Sequence, residues 1–118
     1  MLDIGYYFNA WDFLKNLVLI NMGPRVYYVY ILSNRNRNVL YTGVTNNLKR
    51  RLIEHREEIN NGFTKRYNVP FLMHYESFPR IIMAIKREKQ IKKWHRYQKD
   101  VLISKNNPEW RDLSEDIL

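Results

Sequence analysis

From Val26 to Leu32 the chain runs through β-branched, aromatic and aliphatic residues, and it does so again from Val39 to Val44; both stretches read as strands. Between them Ser33-Asn34-Arg35-Asn36-Arg37-Asn38 is polar throughout. That composition predicts a connecting turn and an antiparallel hairpin. The period then changes. Leu48, Leu52 and Ile59 recur at helical spacing, behind Thr45 and Asn46 as candidate N-caps and ahead of Asn61-Gly62 as a stop. Phe71 to Phe78 reads as a third strand. Pro79 is expected to open a long helix over roughly residues 80–97, with Ile81, Ile82, Ile85 and Ile91 on its inner stripe. A shorter helix through Leu102 and Ile103 ends before Asn107-Pro108. The order β-β-α-β-α plus a helical tail predicts an α+β fold, a small three-stranded antiparallel sheet flanked by helices.

A chain of 118 residues fits one domain, and 45% hydrophobic with 14% aromatic residues describes a folded one. Charge divides it. Residues 1–21 hold Asp3, Asp12 and Lys15, so 19 of the 20 basic and 10 of the 12 acidic residues lie in residues 22–118. The expected organisation is an N-terminal extension over 1–21 and a basic domain over 22–118. Residues 10–20 read either as a short amphipathic helix, with Trp11, Leu14, Leu17 and Val18 on one side, or as sequence upstream of a true start at Met22. The net charge of +8 draws the domain toward polyanions, of which nucleic acid is the most abundant in a cell. Without cysteine there is neither a disulfide framework nor a thiolate zinc site. His55, His74 and His95 lack metal-ligand spacing, which leaves a hard, oxygen-bound cation as the metal to expect. No apolar run reaches the roughly 20 residues that cross a bilayer, so a cytoplasmic protein without a membrane partner is expected.

Some residues break the pattern that defines their element. Arg51 and His55 are four apart and flank Leu48, Leu52 and Ile59 on the side that should face the sheet, where a long cation is costly unless paired or at the mouth of a site. Taken alone, they read as a snorkelling arginine and a hydrogen-bonded boundary histidine. Glu88 falls between Ile85 and Ile91 on the inner stripe of the later helix. It could form an ordinary ion pair with Lys92 at i+4, but that pair would sit equally well on the outer face. An inward carboxylate points to metal coordination or a buried polar network. Tyr28 and Tyr30 share a strand face by period-2 alternation, the hairpin can bring Tyr41 beside one of them, and Gly43 permits close backbone approach.

Taken together, Tyr28-Val29-Tyr30, Tyr41-Thr42-Gly43, Asn47-Leu48-Lys49-Arg50-Arg51 with His55, Ala84-Ile85-Lys86-Arg87-Glu88-Lys89-Gln90 and Asn107-Pro108-Glu109-Trp110-Arg111-Asp112-Leu113 resemble the GIY-YIG nuclease domain family. The resemblance spans about residues 26–113 and looks closest to small stand-alone bacterial members. It implies a DNA endonuclease using one divalent ion, Mg2+ or Mn2+. Tyr30 and Tyr41 would be the paired site tyrosines, Arg51 the phosphate-facing cation, His55 a proton-transfer or orienting group, Glu88 the metal ligand and Asn107 a further site residue. Two positions depart from the namesake motif: Tyr28 stands where the first tripeptide has glycine, and Thr42 takes the middle of the second. The alternatives are a non-catalytic basic nucleic-acid-binding module on the same fold, and a protein-interaction domain using Trp94, Trp110 and the N-terminal apolar segment. Oligomeric state is left open.

Overall fold

The computed structural model describes residues 26–60 and 68–118. The N-terminal extension, its candidate helix, the Met22 boundary and the Asn61-Gly62 stop lie outside the described residues, as does the side chain of Ile59. Strands β1 (Tyr27–Ser33), β2 (Leu40–Thr45) and β3 (Phe71–Phe78) form one antiparallel sheet in the order β2-β1-β3. Helices α1 (Leu48–Asn60), α2 (Ile81–Lys93) and α3 (Arg96–Asn106) and a 3-10 turn at Leu113–Asp116 complete the α+β architecture that the hydrophobic pattern predicts.

In the β1–β2 register Tyr30 lies opposite Gly43, and Leu32 opposite Tyr41. Alternation therefore sends Tyr28, Tyr30 and Leu32 to one face together with Tyr41 and Gly43. Leu48 and Leu52 of α1 pack on that face with Val69 and Leu72. Tyr27, Val29, Ile31 and Val44 point the other way, under Ala84 and Ile91 of α2 and Ile103 of α3. The central strand β1 is thus buried on both sides, which is why its sequence is an unbroken apolar run rather than an alternating one. A register shift beside Ile31 and Leu32 leaves Met73 as an extra residue in β3, so that Leu72 pairs with Leu32 and joins its core while Met73 joins the core under α2.

Three local details differ from the sequence-based expectation. The α1 cap is Asn47, whose Oδ1 accepts from the Arg50 N–H at 3.0 Å, while Thr45 Oγ1 accepts from the Asn47 N–H at 3.2 Å and shapes the turn before it. The long helix ends at Lys93, short of the expected residue 97, and the shorter one already begins at Arg96. Trp94 and His95 are both extended, with ψ of 152° and 159°, and the break is held by Trp94 N–H to the Ile91 carbonyl and by His95 N–H to Gln98 Oε1 at 2.9 Å. Finally, Ile82 is 53% exposed: the buried stripe of α2 runs through Ala84, Glu88 and Ile91, and two residues from Ala84 is about 200° around the helix.

Candidate active site

The two strands of the hairpin present tyrosines to the layer beneath α1, and α1 presents polar residues back at them. Tyr30 and Tyr41 are diagonal neighbours across the β1–β2 ladder, with ring centroids 6.2 Å apart. A Cβ at position 43 would stand beside Tyr30 on the same face; glycine keeps that space clear. Arg51 Nε donates to Tyr30 Oη at 3.2 Å, and Nη1 lies 3.8 Å from a carboxylate oxygen of Glu54. The arginine is 1% exposed. One turn on, His55 sits edge-on to both phenols, 5.3 Å from the Tyr41 ring centroid and 6.3 Å from that of Tyr30.

Burial pushes the His55 imidazole down to about 3, and the positive charge of Arg51 adds to the shift. The ring is therefore neutral near pH 7, with one nitrogen carrying hydrogen and the other able to accept. Its Nε2 has no hydrogen-bond partner among the described residues. A phenol touching a guanidinium, next to a neutral buried imidazole, is a constellation able to move a proton beside a fixed positive charge.

Glu88 enters from α2, in the layer on the other side of the sheet. Its carboxylate is buried, and Oε1 lies 3.1 Å from Lys92 Nζ. Lys92 Nζ in turn stands 6.0 Å from the centre of the Tyr41 ring. The helix ion pair and the inward carboxylate, alternatives in the sequence, coexist: the pair forms, and it forms inside. Four of the six expected residues are thus brought together, and Glu88, across the sheet, approaches them only through Lys92. The donor chemistry of Glu88 suits a divalent metal, since its carboxylate oxygens are the hard donors that Mg2+ or Mn2+ takes. Among the described residues no group of three or more His, Cys, Asp or Glu could hold a metal, so the remaining ligands would be water and substrate oxygens, the usual habit of Mg2+.

Asn107 lies elsewhere. Its amide donates to the carbonyls of Met73 at 3.1 Å and Arg111 at 2.9 Å, and its Oδ1 accepts from the Arg111 N–H. It ties the C-terminal tail to β3, the strand on the far side of β1 from Tyr41. One member of the site was not singled out from sequence: Glu54, which accompanies Arg51 at i+3, where helical spacing was the available signal. Lys92 is the expected i+4 partner of Glu88, but its approach to Tyr41 is not expected from sequence.

Residues 26–100 match a family model described as the GIY-YIG catalytic domain. The UPF0213 protein of Syntrophus aciditrophicus is 42% identical over 83 residues, which cover 70% of this chain and 93% of that protein. The UPF0213 protein CPE1444 of Clostridium perfringens is 36% identical over 90 residues, 76% of this chain and 96% of that protein. A solution NMR structure of the UPF0213 protein BH0048 from Bacillus halodurans aligns at 24% identity with a TM-score of 0.48, covering 76% of this chain and 95% of that one. The chain belongs to the GIY-YIG domain family. At family level this is a nuclease domain, with nucleic acid as its substrate and divalent metals in general use. Among the described residues no helix is long and apolar enough to cross a membrane.

Proposed function

We propose that this chain is an endonuclease that hydrolyses a phosphodiester bond of DNA with one divalent ion, Mg2+ or Mn2+, held by Glu88. The observation that carries the reading is the Tyr30–Arg51 hydrogen bond inside a cluster that also contains Tyr41 and the neutral His55. A phenol with an ordinary pKa near 10 is a weak base, and contact with a guanidinium favours its ionised form. Tyr30, ionised, accepts the proton of the attacking water, and His55, held neutral by burial and Arg51, orients the two phenols from its place between them. Arg51 stabilises the charge that develops on the phosphate oxygens. A metal ion on Glu88 would neutralise the leaving oxygen. Tyr41 orients the phosphate from the other side of His55.

The test is cleavage of branched, flapped, single-stranded and duplex DNA with and without Mg2+. Glu88→Gln keeps the shape and removes the charge, so cleavage should vanish while DNA binding persists. Tyr30→Phe and Arg51→Ala should each lower the rate by about 10²-fold or more. Equal cutting by wild type and folded Glu88→Gln would end the proposal. The 1% exposure of both Arg51 and Glu88 favours one other reading, a non-catalytic nucleic-acid-binding module whose polar cluster is core. There Glu88→Gln would leave any response to metal unchanged and cost about 3–5 kcal/mol of stability, the range for breaking a buried ion pair.

A further inference from the structure

A lysine that only solubilises a helix keeps its ammonium in water. Lys92 does not. Its side chain is 20% exposed, and its Nζ lies 3.1 Å from Oε1 of a carboxylate that is itself 1% exposed, and 6.0 Å from the centre of the Tyr41 ring. A carboxylate buried to this degree needs a cation, and Lys92 supplies one at Oε1. A divalent ion bonds a carboxylate oxygen at about 2.0–2.6 Å, so an ion and this ammonium on the same oxygen would repel each other at short range in a poorly screened place.

We infer that Lys92 is an exchangeable cation: its ammonium holds Glu88 when no divalent ion is bound and leaves when one binds, then serving the phosphate of the nucleic acid beside Tyr41. The inference rests on the metal reading of Glu88 given above. Lys92 can make the move because its four-carbon stem is flexible and its partial exposure gives the ammonium a way out without unpacking the core. Two consequences follow for binding. Metal affinity in the absence of DNA is held down by the ammonium that must be displaced. Metal and DNA bind cooperatively, since the ion frees a positive charge for phosphate and phosphate draws that charge off Glu88.

Calorimetric titration of the full chain with Mn2+ measures the first consequence without any turnover. Lys92→Met should bind Mn2+ at least about tenfold more tightly than wild type, Lys92→Arg should stay near wild type because it keeps a cation, and Glu88→Gln should abolish binding. If wild type and Lys92→Met bind equally, and Glu88→Gln abolishes binding in both backgrounds, the exchange is wrong and the metal reading stands. If Glu88→Gln leaves Mn2+ binding unchanged, the metal reading falls and the exchange with it. Should Lys92→Met fail to fold, wild type still decides. With lysine 13Cε labels, Mg2+ should move the Lys92 resonance to a saturating end point; a stationary Lys92 resonance while Mg2+ binds overturns the exchange.

Discussion

His55 stays neutral because burial and then the Arg51 charge oppose its protonation, placing its folded pKa at about 3 against an ordinary 6.5. Between those values the unfolded chain binds a proton that the folded one refuses. Stability is therefore fully present above 6.5 and declines as pH falls toward about 3, by at most about 1.4 kcal/mol per pH unit. Glu76 is also held low: burial works against its ionised form, but hydrogen bonds with His74 and Arg87 outweigh it, and its window opens only below its ordinary 4.5. Urea titrations at about pH 7 and about pH 5 thus isolate the histidine, and His55→Phe should show a clearly smaller loss between the two than wild type. An unchanged loss would mean that other groups carry it. Thr42 makes the opposite point. It faces the α2 layer, opposite Ile31, and its buried hydroxyl has no hydrogen-bond partner among the described residues. Thr42→Val should raise stability by about 1 kcal/mol, seen as a higher denaturation midpoint at constant slope.

At the scale of elements, the C-terminal tail sets how α1 lies on the sheet. Asp112 Oδ1 accepts from the Leu72 N–H of β3 at 2.9 Å and from the Ser114 N–H at 3.0 Å, while Arg56 of α1 donates to both Asp112 and Ser114. Asn107 anchors the start of this clasp to Met73. Asn107→Ala should leave the Met73 and Arg111 groups unsatisfied and lower stability by about 1–3 kcal/mol. Because its bonds run to β3 and the tail, cleavage per folded molecule should stay within a few-fold of wild type. A fully folded variant that had lost cleavage would instead put Asn107 in the reaction. The break at Trp94 and His95 has its own consequence, since it starts α3 where Arg96 can donate to the hairpin-turn carbonyls of Arg37 and Asn38. Sequence showed both helical stretches but not the break, which has no glycine or proline and depends on the reciprocal polar contact of His95 with Gln98.

Over the whole molecule, the proposed function requires a phosphate-tracking surface, for which a net charge of +8 and exposed Lys49, Lys86, Lys89, Lys93 and Lys105 are the candidates. If about four to six phosphate contacts form on duplex DNA, log affinity should fall with log salt at a slope near −4 to −5, and a slope near zero would reject such a surface. Neutralising Lys49, an exposed residue on α1, should weaken all sequences alike. By itself the sequence determined the strands and helices, the face shared by Tyr28 and Tyr30, the face shared by Arg51 and His55, and the inward turn of Glu88. Each of these follows from a backbone period of two or of 3.6, a property of a few consecutive residues. Tertiary structure alone decided that Arg51 bonds Tyr30, that His55 loses its proton, that Lys92 brings Glu88 to Tyr41 and that Asn107 secures the tail. Those contacts join different elements or depend on burial, and local period specifies neither how a helix is rotated against a sheet nor how much water is left around a side chain.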